Sequence, residues 1–189
     1  GNSTGADILQ INKLEISIPE QITHLKEIIL PIYAITKTLG VNSLDFQKYI
    51  NSFKPLNGRG NIISINGYKI IDDAYNANPA SMYYAIDRLI KIKNNRKIII
   101  LGDMLELGKY KHIEHEKIGQ YINKFNFDII FTYGNYSNEI YKALNNNYKI
   151  KKHFTSMILM KKEFNKVVRK NDLVLIKGSR SMELERLYQ

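Results

Sequence analysis

NIISINGYKIIDDAYNANPASM, residues 61–82, decides the fold. Asn66-Gly67 lies between two runs rich in isoleucine, and both positions of a two-residue hairpin turn favour positive φ, so the segment reads as paired antiparallel strands. Ile70 and Ile71 finish the second strand, which leaves Asp72 and Asp73 at its carboxyl end. Asn78 precedes a proline and is pushed by it toward extended backbone, the conformation of a helix N-cap. Pro79 suits the first helical position. Met82, Ile86, Leu89 and Ile90 then recur at i, i+4, i+7 and i+8, the apolar stripe of a helix over about 79–93.

Outward from this stretch the rhythm is regular. A strand at Lys97–Leu101 is followed by a helix at about 112–125, a strand at Asp128–Tyr133 and a helix at about 137–144. A short strand near Lys149–Lys152, a helix at about 157–169, a strand at Asp172–Lys177 and a short terminal helix complete it. Strands alternating with ten-to-fifteen-residue helices imply crossover connections and a parallel sheet covered on both faces. The fold class predicted is α/β, a Rossmann-like, mostly parallel sheet with helices on both faces and a β-hairpin at its start.

The first fifty-odd residues read differently. Ile8–Ile18 alternates loosely and suits a strand or two; Pro19 introduces a helix over Glu20–Leu39 that Gly40 ends. Ser43 reads as the N-cap of a further helix, Ser43–Phe53. Lys54-Pro55-Leu56-Asn57-Gly58 has the composition of a linker, so two domains are expected, 1–55 and 56–189. The first residue is Gly1 rather than methionine, which suggests a piece of something longer.

Composition narrows the function. Of 189 residues 28 are Lys or Arg and 18 Asp or Glu, a formal charge of +10. The basic residues form no block and no aromatic series interleaves with them, so a solvated basic surface suited to anionic small molecules is the reading, not nucleic-acid binding. There is no cysteine, hence no disulfide framework and no thiolate chemistry. No stretch approaches the ~20 apolar residues of a membrane span.

Three polar clusters are expected at one sheet edge, where open α/β sheets bind ligands. They are Asp73, Tyr75, Asn76 and Asn78 in DDAYNANP; Asp103 and Glu106 in LGDMLELG, residues 101–108; and Lys177, Ser179 and Arg180 in KGSRSMELE, residues 177–185. Cations and backbone N–H groups at a helix start in the last cluster would suit an anion. HIEHE at 112–116 does not have the H-E-x-x-H zinc spacing, so no metal ligand set is expected.

Gly58-Arg59, DDAYNANPASM, LGDMLELG, His115 and KGSRSMELE, in this order, resemble the C-terminal domain of the Mur ligases, over residues 56–189. The resemblance implies an ATP-dependent ligase forming an acid–amino-acid amide bond through an acyl phosphate, in the branch that joins D-Ala-D-Ala to a UDP-N-acetylmuramoyl-tripeptide for peptidoglycan synthesis. It implies ATP and Mg²⁺ as cofactors, a cytoplasmic monomer, and no nucleic-acid or membrane partner. Residues 1–55 would be the tail of the family's central ATP-binding domain. By the same resemblance Arg59 reaches the ATP phosphates as the catalytic cation, Asp73 lies near the ribose, and Asn76 and Asn78 line the nucleotide side. Tyr75, Lys177, Ser179 and Arg180 fall on the substrate side, the last three toward the D-Ala-D-Ala carboxylate. Asp103, Glu106 and His115 are expected to be structural. No G-x-x-x-x-G-K-[ST] phosphate loop occurs, GNSTGAD included, and His24-Leu25-Lys26-Glu27-Ile28 lacks the asparagines the family carries there. The chain by itself is therefore expected to be inactive. The alternatives are a non-catalytic module binding a nucleotide or peptidoglycan precursor, and a folylpolyglutamate-synthase-like ligase domain, against which the NANP loop and the KGSRS spacing argue.

Overall fold

The computed structural model describes residues 7–11, 14–94 and 96–189. GNSTGA, Asn12-Lys13 and the side chain of His24 lie outside the described residues. The chain divides into two compact units, Gly1–Leu56 and Asn57–Gln189.

In the first unit β1 (Asp7–Ile11) and β2 (Leu14–Ile18) pair antiparallel. The helix expected over 20–39 is two pieces, a 3-10 helix at Glu20–Leu25 and α1 (Lys26–Thr38). Asn42, not Ser43, caps α2 (Ser43–Ser52): its backbone is extended and its side chain accepts the Asp45 N–H at 2.9 Å. The Ser43 hydroxyl instead bonds Tyr33 Oη at 2.9 Å. Ile16, Ile18, Ile22, Ile29, Tyr33 and Phe46 form the unit's core. α1 and its C-cap also carry a second apolar stripe: Ile28, Ile32, Ile35 and the capping Leu39, at i, i+4, i+7 and i+11, are all exposed.

The second unit is a six-stranded sheet in the order β3-β4-β8-β5-β6-β7. Its strands are β3 (Asn61–Ile65), β4 (Tyr68–Asp73), β5 (Lys97–Gly102), β6 (Ile129–Tyr133), β7 (Lys151–Phe154) and β8 (Leu173–Lys177). β3 is an antiparallel edge strand joined to β4 through Asn66-Gly67, both at positive φ, and all other pairings are parallel. β7 lies two residues later than its sequence reading. The crossover helices are α3 (Pro79–Lys91), α4 (Lys111–Ile122), α5 (Ser137–Ala143) and α6 (Met157–Val167).

Alternation along each strand splits the core in two. Ile71, Ile99, Leu101, Ile130 and Leu175 pack with Met82, Ile86 and Leu89 of α3, Ile118 and Ile122 of α4 and Ile140 of α5. Ile70, Ile98, Ile100, Phe131, Val174 and Ile176 face the other way, onto Met160 and Phe164 of α6 and onto Leu184 and Leu187. Central strands apolar on both faces are what a doubly covered parallel sheet requires. Each fully buried isoleucine or phenylalanine contributes about 1.5–3 kcal/mol relative to exposure. The start of α3 is fixed as the sequence implied. Asn78 Oδ1 accepts the Ser81 N–H at 2.9 Å, Ser81 Oγ accepts the Asn78 N–H at 3.1 Å, and Pro79 opens the first turn.

Candidate active site

Strand register builds the site. Asp73 of β4 lies opposite Lys177 of β8, which lies opposite Leu101 of β5, so the carboxyl ends of three neighbouring strands share one rim. The loops carrying residues 73–78, 102–108 and 178–182 all leave from that rim, which is the ligand edge of an open α/β sheet.

At its centre Lys177 is buried to 2% of its side chain and donates to Asp73 Oδ2 at 2.7 Å and to the Asn76 carbonyl at 2.9 Å. The ammonium thus ties the strand end to the following loop. About a quarter of the Asp73 side chain stays exposed. Burial raises its pKa, opposed by Lys177 and then Arg88. Asn76 turns its own side chain onto the Ala77 N–H at 2.8 Å, and Asn78 is occupied as the N-cap of α3. Tyr75 is exposed, and the Arg59 guanidinium lies over its ring, 4.0 Å from the centroid. Such stacking holds a permanently charged planar fork at the surface.

The neighbouring carboxylate behaves differently. Asp103, 3% exposed, accepts the N–H groups of Asn135 at 2.9 Å, Tyr136 at 3.0 Å and Ser137 at 2.6 Å, so it braces the start of α5. Its carbonyl accepts the Ser179 N–H at 2.9 Å, and Ser179 Oγ accepts the Leu105 N–H at 3.0 Å. His115, fully buried, bonds the Met104 N–H through Nε2 at 2.9 Å and the Lys111 carbonyl through Nδ1 at 2.5 Å. The ring is therefore the neutral tautomer protonated at Nδ1, and burial lowers its pKa. Glu106 is exposed in the same loop.

The structure therefore brings Asp73, Tyr75, Asn76, Lys177, Ser179 and Arg180 to one rim, with Arg59 on Tyr75, but their side chains are not equally available. Those of Lys177 and Ser179 are buried within the protein. Arg180 is exposed and paired with Glu185, which is the first cause of its raised pKa. The helix start expected behind KGSRS is corrected. Glu183 takes left-handed backbone, φ +47, and breaks the segment into 3-10 turns at Arg180–Met182 and Leu184–Leu187, too short to sum a helix dipole.

Two residues of the site were missed in the sequence. Asp72, 2% exposed, accepts the Gly58 N–H at 2.8 Å; the doublet Asp72-Asp73 was visible, but β-strand alternation alone shows that the two carboxylates face opposite ways. Arg88, one turn past the middle of α3, donates to the Gly60 carbonyl at 2.6 Å, a contact no local pattern announces.

Fold and rim define a doubly wound α/β domain with one arginine, one half-open aspartate and one exposed Arg–Glu pair at its ligand edge. Residues 58–180 match the family described as Mur ligase, glutamate ligase domain, and the chain belongs to that family. A UDP-N-acetylmuramoyl-tripeptide–D-alanyl-D-alanine ligase of Rickettsia prowazekii is 31% identical over 92% of this chain and 38% of its own length. A crystal structure of MurF from Acinetobacter baumannii superposes with a TM-score of 0.82 at 25% identity, covering 96% of this chain and 41% of that one. A MurF ligase from Thermotoga maritima, solved in complex with ADP, shares the fold with a TM-score of 0.75 at 23% identity, over 96% of this chain and 44% of its own. The chain thus spans about two fifths of the length of these relatives.

Proposed function

We propose that this chain is the C-terminal part of a cytoplasmic, monomeric, ATP-dependent ligase that joins D-Ala-D-Ala to a UDP-N-acetylmuramoyl-tripeptide in peptidoglycan synthesis. The observation that carries this reading is the shared rim of β4, β8 and β5, which sets Asp73, Lys177 and the Ser179–Arg180 loop side by side. The similarity to named D-alanyl-D-alanine ligases supports the substrate class, and the ADP bound to the Thermotoga relative supports the nucleotide. The exposed stripe on α1 supports residues 1–55 as the tail of a larger ATP-binding domain, since an exposed apolar row on a helix suits a covering surface.

Each residue then has a physical task. Arg59 offers its guanidinium to the phosphates, where a planar fork clamps developing charge. The exposed part of Asp73 accepts from the ribose hydroxyls. Asn76 and Asn78 fix the course of the nucleotide-side loop, Asn78 by capping α3. Tyr75 serves as the platform on which Arg59 rests at the substrate side. Arg180, exchanging Glu185 for the ligand, takes the D-Ala-D-Ala carboxylate. Lys177 and Ser179 act from beneath by holding the two loops at a fixed spacing, since orientation of bound reactants is worth about 7–11 kcal/mol in such transfers. Mg²⁺ would enter with the nucleotide, on its phosphates and one or two protein oxygens, and is assigned mainly to the part of the ligase outside this chain.

The test is ADP release by the complete protein. It should require both the tripeptide precursor and D-Ala-D-Ala, and the chain alone should give none. Release driven by a folate and glutamate, or none with any acceptor, would favour the folylpolyglutamate-synthase-like or the non-catalytic reading. Within that assay Arg59→Ala should lower kcat far more than it raises any KM, and Arg180→Ala should raise the KM for D-Ala-D-Ala.

A further inference from the structure

Arg59 sits between two glycines whose four backbone polar groups are all tied down. The Gly58 N–H donates to Asp72 Oδ2 at 2.8 Å, and its carbonyl accepts the Tyr75 N–H at 3.0 Å. The Gly60 N–H donates to the Asp72 carbonyl at 2.7 Å, and its carbonyl accepts Arg88 Nη1 at 2.6 Å. Both glycines have positive φ, +78 and +83, a conformation costly for other residues, so the turn is specified as well as bonded. The guanidinium between them lies on Tyr75, the residue whose N–H closes the turn.

Asp72 is a buried carboxylate, a costly arrangement unless its acceptors are used. Its acceptors serve the Gly58 turn and, more weakly, the Ala74 N–H at 3.4 Å. The part-buried Tyr188 phenol also faces it; burial and then the Asp72 charge raise the Tyr188 pKa. Arg88 is partly buried, and burial lowers its pKa against the pull of Tyr84 and Asp73. Two charged side chains held in this way, on two elements, converge on the flanks of one exposed arginine.

We propose that Asp72 and Arg88 are positioning residues for Arg59, acting through the backbone of the Gly58–Gly60 turn and touching no substrate. The proposal rests on the reading of Arg59 as the phosphate-binding cation, and the experiment separates the two.

In the complete ligase, Asp72→Ala and Arg88→Gln are each combined with Arg59→Ala. With Arg59 present, each should lower kcat about tenfold, the size expected of one lost bond to a charged group. The KM for D-Ala-D-Ala should stay within about twofold of wild type. In the Arg59→Ala background the same changes should have almost no further effect, because residues acting through one group are non-additive. Asp72→Asn, which keeps an acceptor for the Gly58 N–H but loses the charge, should recover most of the activity. Full, additive losses in the Arg59→Ala background, or Asp72→Asn as impaired as Asp72→Ala, would overturn the proposal. If Asp72→Ala does not fold, Arg88→Gln carries the same cycle alone. Hydrogen exchange at the Gly60 amide gives a readout without turnover: Arg88→Gln should accelerate it, and unchanged protection contradicts the clamp. An Arg59→Ala enzyme with wild-type kcat would instead remove the role assigned to Arg59, whatever the exchange result.

Discussion

Asp73 and Asp103 stand at the carboxyl ends of two strands on the same rim, and they do opposite things. Asp103 is closed: three backbone N–H groups of the β6–α5 turn and the loop to Ser179 converge on that one residue. Asp73 is half open, one oxygen held by Lys177 and part of the side chain exposed. A buried carboxylate with both oxygens on backbone N–H groups is a brace, because it presents almost no surface to a ligand. A carboxylate with one oxygen engaged and part of its surface in solvent is preorganised to accept from a ligand without being drawn into the fold. Position at the ligand edge therefore does not by itself make a residue functional; the state of its hydrogen bonds decides.

The contrast breaks most visibly at Asp103. Asp103→Ala orphans three buried or part-buried N–H groups and should cost about 4 kcal/mol in a urea titration. A loss below about 1 kcal/mol would mean the turn has other partners. Asp73→Asn leaves Lys177 an acceptor but removes its counter-charge; it should cost less than Asp103→Ala, about 1.5–3 kcal/mol, while raising the KM for ATP. Equal stability losses at the two positions would erase the distinction.

His115 sharpens the comparison through pH. Its Nε2 must stay unprotonated to accept the Met104 N–H, and burial holds its folded pKa below the ordinary 6.5, against Asp103 and Glu139 and with His112. The unfolded chain then takes up the proton first. Stability is full above about 6.5 and declines as pH falls toward the lower folded value. His115→Gln should flatten that decline, leaving the slope due to His153, whose pKa burial also lowers. A slope unchanged by His115→Gln would place the titrating group elsewhere. The smallest effect belongs to the surface: Glu163→Gln, removing the exposed pair with Lys152, should move Tm by no more than about 1 °C.

The fold was largely legible because its signals are local. Asn66-Gly67 announces a hairpin, Asn78-Pro79 a helix start, and the isoleucine runs at 98–100 and 129–130 strands buried on both faces. What was misread depends on backbone that the residue types do not dictate. Ser43 and Asn42 are both good caps, and only the extended backbone at Asn42 decides between them. Glu183 enters the left-handed region, where glutamate is rare, and so the terminal helix became two short turns. In the site, the residues converging on the rim were readable from strand ends. The division into braces and open groups was not, because Lys177 meets Asp73 across 104 positions and Ser179 meets Leu105 across 74.

The most direct measurement is the KM for ATP of the complete ligase carrying Asp73→Asn or Asp103→Asn, each assayed at a temperature where it is folded. The half-open carboxylate should matter to the nucleotide and the closed one should not. Asp73→Asn is expected to raise that KM about tenfold with Asp103→Asn near wild type; a wild-type KM in Asp73→Asn, or an equal rise in both, contradicts the account.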